Sequence, residues 1–97
     1  MNMQAMLKQA QALQKDMLKA KEEVDNTEFV GESSLVKVVM KGTKEIVEVK
    51  ISADSLDKED IEALQDMLVV AINQAGNKVD ETMEKKMGKF GNIPGLF

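Results

Sequence analysis

Apolar positions along this chain follow two periods in turn, and each change of period marks an element. From Met3 to Val24 they fall at Met3, Met6, Ala10, Leu13, Met17, Ala20 and Val24, in steps of 3, 4, 3, 4, 3 and 4. That spacing keeps one face of an α-helix apolar and makes an a/d seam of coiled-coil type, unbroken by Gly or Pro. It predicts a helix over about residues 2–25, a rod of roughly 35 Å at about 1.5 Å per residue. Such a seam wants a partner helix along its whole length. Met and Ala fill five of its seven positions and Leu only one, so it is soft, and is expected to lean on a second helix of the chain or on another copy.

After Asp25-Asn26-Thr27 the period drops to two. Residues 28–33 read as a short strand. Residues 35–41 alternate, with Val36, Val38 and Met40 on one face and Lys37 and Lys41 on the other. Gly42-Thr43 reads as a two-residue hairpin turn, and residues 45–51 return with Val47, Val49 and Ile51 inward. Three short antiparallel strands cannot bury both a face and their edges, which argues for pairing with another copy.

The helical period then resumes at Ile61, Leu64, Leu68, Ile72, Ala75, Val79, Met83 and Met87. Asp57 is placed to cap the free backbone N–H groups, and Glu59, Asp60 and Glu62 put negative charge at the positive end of the helix dipole. Gly88, Gly91, Pro94 and Gly95 end the pattern. A helix over about 57–88 is predicted, followed by a flexible tail at 89–97. Gly76 inside it costs roughly 1 kcal/mol against Ala, and close packing against a neighbouring element is the simplest reason for it. The central run Met67-Leu68-Val69-Val70-Ala71-Ile72 is apolar all round, so it should be covered on two sides. The chain's own strands supply one cover and a second copy the other. This nominates Met67, Leu68, Val69, Val70 and Ile72 as a dimer interface. The fold expected is α+β, with helix, three-stranded antiparallel sheet and helix in a single domain spanning 1–97.

Composition narrows the chemistry. The chain has neither Cys nor His, which removes disulfides, thiolate metal sites and the ordinary Ser-His and Cys-His catalytic pairs. No phosphate-binding glycine loop follows a strand. The acidic residues around Asp57 are sufficiently explained as helix-start residues, and an Asp54-Ser55-Leu56-Asp57 calcium loop lacks the required spacing and glycine. An enzyme is therefore not expected, nor a cofactor, nor a small-molecule substrate. The N-terminus lacks a basic region followed by an apolar run, and no apolar segment approaches membrane-spanning length, so a cytoplasmic protein without membrane partners is the expectation.

All 13 basic residues are Lys and the net charge is −4. Residues 52–66 carry six carboxylates against Lys58 alone, so one acidic block accounts for the balance. Two lysine stripes stand apart from it. Gln4, Lys8, Gln11, Lys15 and Lys19 run along the first helix opposite its seam, and Gln74, Lys78, Thr82, Lys85 and Lys89 run along the second, with Lys86 adjacent. Each stripe suits a phosphate backbone, but on the residues alone a merely solvated face explains the lysines better, because Asp16, Glu22, Glu81 and Glu84 interrupt both stripes. Without Arg, bidentate reading of guanine is poorly served, and Phe29, Phe90 and Phe97 are the only aromatics for stacking single-stranded bases. Backbone contact to duplex DNA is the nucleic-acid mode these residues support.

The order of features resembles the YbaB/EbfC family of bacterial nucleoid-associated proteins. The resemblance is carried by Met6-Leu7-Lys8-Gln9-Ala10-Gln11, by Val30-Gly31-Glu32-Ser33 before Leu35-Val36-Lys37-Val38, and by Val49-Lys50-Ile51 leading to Leu56. It continues through Leu64-Gln65-Asp66-Met67-Leu68-Val69-Val70-Ala71-Ile72-Asn73-Gln74-Ala75, then Gly88 and Pro94-Gly95-Leu96. The glycine-rich link that many members carry between the first two strands is here reduced to Ser33-Ser34. The resemblance implies a tweezer-like homodimer with projecting helices and a nucleoid location in the cytoplasm. It also implies duplex binding largely without sequence preference, and a link to recombination-repair or replication proteins. The DNA-binding candidates are then Lys8, Lys15, Lys19, Lys78, Lys85, Lys86 and Lys89. The rival reading is a dimeric protein-interaction module whose heptad seam and Met-rich surface serve a protein partner.

Overall fold

A computed structural model describes residues 2–88; the tail expected at 89–97, and Lys89 with it, lies outside the described residues. The elements run α1 (Met3–Asp25), β1 (Glu28–Ser33), β2 (Val36–Lys41), β3 (Ile46–Ile51) and α2 (Asp60–Gly88). The strands form one antiparallel sheet in the order β1-β2-β3. The predicted architecture is therefore present, with local corrections at the element ends.

α1 starts where Asn2 caps it, its side-chain oxygen accepting from the N–H groups of Gln4 at 3.1 Å and Ala5 at 3.4 Å. α2 starts three residues later than Asp57. The Asp57 carboxylate does not cap it; instead residues 57–60 form a turn in which the Asp57 N–H donates to the Asp60 carboxylate at 2.9 Å and the Asp60 N–H donates back to the Asp57 carbonyl at 2.9 Å. Local acidic chemistry is satisfied, but one turn further along the chain.

The two hairpins also differ from the expected geometry. Ser34 and Leu35 make a tight turn between β1 and β2, with Ser34 at φ 49°. Between β2 and β3 four residues intervene, Gly42, Thr43, Lys44 and Glu45. The Lys41 N–H donates to the Glu45 carbonyl and the Lys44 N–H to the Lys41 carbonyl, both at 2.8 Å, with Lys44 at φ 73°. Gly42 is not there for the turn. A Cβ on it would stand 1.8 Å from the Val24 carbonyl oxygen, so the glycine lets the hairpin abut the end of α1.

The core lies between α2 and the sheet. Val24, Phe29, Met40, Ala75 and Val79 form one buried cluster and Val36, Val38 and Ala71 a second, with Ile72 packing against both. The close approach expected at Gly76 is found elsewhere: nothing lies within 4 Å of a Cβ added at Gly76, whereas one added at Gly31 would stand 1.9 Å from the Ala71 carbonyl oxygen. Small residues on both sides, Gly31 of β1 and Ala71 and Ala75 of α2, bring helix and strand together.

α2 packs on β1 and β2 and leaves β3 uncovered. Val49 is paired with Val38 and Ile51 with Val36, so they lie on the face that α2 covers over the other strands, as the alternation predicts. Yet Val49 and Ile51 are 46% and 39% exposed: facing inward in register is not the same as being covered; at the other end a register shift puts Ile46, where the alternation named Val47, opposite Met40, and both are 42% exposed. The heptad seam of α1 is likewise covered only at its base. Ala20 and Val24 are buried and Met17 half-buried, while Met3, Met6 and Leu13 are exposed. The α1 N-terminal part therefore stands away from the sheet as an arm, and the molecule measures 72 × 19 × 14 Å.

Candidate nucleic-acid interface

The arm is where unpaired positive charge collects. Residues 3–19 carry Lys8, Lys15 and Lys19 against Asp16 alone, whereas Lys21 at the base is paired with Asp25 at 3.0 Å, beside Glu22 and Glu23. Lys8, Lys15 and Lys19 are exposed on the side away from the apolar seam, at spacings of seven and four that keep them on one face. Among the described residues neither these three nor Lys85 makes an ion pair. Gln11 and Gln14 share with Lys15 and Lys19 a shallow open groove along α1. Ammonium and amide groups in such a row are free to meet phosphate oxygens.

On α2 the stripe divides. Its first two members are engaged with the sheet: the Gln74 carbonyl oxygen accepts from the Glu32 N–H at 2.7 Å, and the Lys78 Nζ donates to the Val30 carbonyl at 2.6 Å. β1 is an edge strand, and these two side chains, one turn apart on α2, satisfy backbone groups on it that would otherwise be open to another chain. Lys78, a candidate for phosphate, thus also seals a sheet edge. Lys86 is engaged too, its Nζ lying 2.9 Å from Glu23 Oε2 of α1. Sequence patterns gave no signal for these contacts, because the partners are 42 to 63 residues apart. The same holds for the Lys44–Asp80 pair at 2.9 Å, which ties the β2-β3 hairpin to α2.

The dimer-interface candidates divide as well. Met67, Leu68 and Ile72 are half-buried against the protomer's own core, whereas Val69 and Val70 are 57% and 51% exposed. With Ile61, Val47, Val49 and Ile51 they leave both the outer side of α2 and the β3 half of the sheet apolar and uncovered. The acidic block occupies the start of α2, at the opposite end of that helix from Lys85 and Lys86, so the charge is segregated along the molecule. No helix among the described residues is long and apolar enough to cross a membrane.

The chain is similar to known proteins. A nucleoid-associated protein of Lactococcus lactis subsp. cremoris (strain MG1363) is 47% identical over 92 residues, covering 93% of each chain. One from Pelotomaculum thermopropionicum is 45% identical, covering 99% of this chain and 96% of its own. The crystal structure of an uncharacterized protein of Helicobacter pylori, HP0035, superposes with a TM-score of 0.71 at 28% identity, over 88% of this chain and 91% of that one. Residues 1–93 match the YbaB/EbfC DNA-binding family, and the chain belongs to that family.

Proposed function

We propose that this protein is a nucleoid-associated protein that grips duplex DNA by its phosphate backbone, largely without sequence preference. The observation that carries the reading is the arm: an α-helix standing off the sheet with Lys8, Lys15 and Lys19 exposed on one face and free of ion pairs. Lys85 extends the surface onto α2, and Lys86, Lys78 and Lys89 complete the set of candidates. Lys is a hydrated point charge, suited to phosphate rather than to planar reading of a base edge. The functional unit is a homodimer that covers Val47, Val49, Ile51, Val69 and Val70 and presents two arms. Each arm, the part of α1 before Met17, is roughly 21 Å long, a little over half of one duplex turn of about 34 Å. Binding of this kind serves nucleoid organisation, gene expression or repair.

The test is fluorescence anisotropy with a random-sequence duplex over a range of salt. A grip on about six phosphates gives a slope of log affinity against log salt near −5. A response that is flat in salt refutes the backbone mechanism. The adaptor reading has its own support in the exposed Met3, Met6, Leu7, Leu13 and Leu18 of α1. It is favoured instead if the protein shows no DNA affinity even at low salt and retains one stoichiometric protein partner after nuclease treatment.

A further inference from the structure

We propose that Gln74 and Lys78 together imitate one residue of a fourth strand and so close β1 to a second copy of the chain, and that Lys78 is a positioning residue of this guard, not a phosphate contact. Only the last clause rests on the duplex-binding reading above, whose α2 surface it narrows to the C-terminal lysines. Among the described residues β1 pairs with β2 alone, so its outer edge is open to strand addition. A residue placed beside that edge in a parallel ladder donates its N–H to one carbonyl and accepts, at its own carbonyl, from the N–H two residues further on. The Val30 carbonyl and the Glu32 N–H are such a pair. Lys78 Nζ donates to the first at 2.6 Å, and the Gln74 side-chain carbonyl accepts from the second at 2.7 Å. The two side chains thus supply the donor and the acceptor that one strand residue would supply.

Backbone spacing makes the imitation fit. Gln74 and Lys78 are one turn apart, about 6 Å along α2, and residues 30 and 32 are roughly 6.7 Å apart along β1. α2 runs against β1, which brings Gln74 to Glu32 and Lys78 to Val30. Gly31 lies between them without a Cβ, so the α2 backbone at Ala71 and Ala75 comes close enough for both side chains to reach the strand edge. Ala71 and Ala75 are buried against the sheet, and Gln74 and Lys78, three residues further on, stand exposed at its side. Water would serve these exposed groups equally well, so what the contacts change is the access of another backbone. A phosphate that drew Lys78 away would leave the Val30 carbonyl open to such a backbone. Lys8, Lys15, Lys19 and Lys85, which make no ion pair among the described residues, carry no such penalty.

The test compares Lys78→Met, Lys78→Arg, Gln74→Leu and Lys85→Gln with the wild type. Sedimentation velocity is run over a concentration series beside thermal melts, and a random duplex is titrated by anisotropy across salt, at protein concentrations below those where any variant associates. Lys78→Met and Gln74→Leu each open half of the guard. Each should raise the weight-average mass at the top of the series at least roughly twofold over the wild type, since strand addition joins whole copies. Lys78→Arg keeps a donor and stays at the wild-type size. Lys78→Met leaves the salt slope of duplex binding unchanged, whereas Lys85→Gln flattens it by about 0.9 per protomer. Wild-type size for either Lys78→Met or Gln74→Leu overturns the guard, and a lowered melting temperature at that size means that the pair only fastens α2 to the sheet. A slope flattened by about 0.9 in Lys78→Met returns Lys78 to the phosphate contacts and overturns its assignment here. Absence of duplex binding in all five proteins overturns the duplex-binding reading, while the sedimentation result still decides the guard.

Discussion

The sheet with the middle of α2 and the free end of α1 are built on opposite terms. In the first, Val36, Val38, Ala71 and Ala75 are at most 1% exposed and backbones approach so closely that only glycine fits at Gly31. In the second, Met3, Met6 and Leu7 are 75%, 53% and 59% exposed on a helix end that none of the other described elements covers. The radius of gyration, 19.6 Å, exceeds the roughly 13 Å of a compact chain of about this length because the arm carries mass away from the core. Folding is thus borne by one half of the molecule, which leaves the other free to be shaped by what it touches.

The strongest way to break this contrast is to strike the tight half. Gly31→Ala puts a Cβ against the backbone of α2, which cannot yield as a side-chain tip could. It should cost about 3 kcal/mol or more and leave little folded protein in a urea titration. Next comes Val38→Ala, fully buried between sheet and helix, with an expected loss of about 2 kcal/mol. The same truncation on the arm, Leu7→Ala, should change stability by less than about 0.5 kcal/mol. Equal losses for the two would mean that the arm belongs to the cooperative core.

Much of the tight half was legible in the sequence because its signals are local. The strand alternation placed Val36, Val38 and Met40 together, and the steps of three and four from Ile61 to Met87 drew α2 to within three residues at its start. What was not legible depends on elements meeting. Gly76 and Gly31 look alike in a sequence, and only the docking of β1 on Ala71 and Ala75 decides which is indispensable. Nor does alternation in β3 reveal that α2 stops short of it. On the candidate surface, the lysine spacing on α1 was readable, while the contacts of Lys78 with Val30 and of Lys86 with Glu23 arise only when distant segments are packed together.

The contrast sharpens when function is struck in place of folding. Lys15→Gln combined with Lys19→Gln removes two exposed ammonium groups that have no partner among the described residues, so the melting temperature should be nearly unchanged. Duplex affinity at physiological salt should fall by on the order of tenfold, and the salt slope should flatten by about 1.8 per protomer. Anisotropy titrations beside thermal melts check both. A stability loss without a change in affinity would assign these lysines to the fold.

The one stabilising effect comes from the glycine on the loose side of α2. Gly76 sits mid-helix, half-buried, with open space where a Cβ would go, so Gly76→Ala meets no neighbour and removes backbone freedom only from the unfolded chain. It should raise stability by about 0.8 kcal/mol in a denaturant titration, opposite in sign to Gly31→Ala. The space beside it carries a second consequence in the proposed homodimer. If the partner's chain approaches α2 at Gly76 as α2 approaches β1 at Gly31, the added methyl will stabilise the protomer and weaken the dimer. Sedimentation equilibrium on the same variant then distinguishes a glycine that is merely tolerated from one that an interface requires.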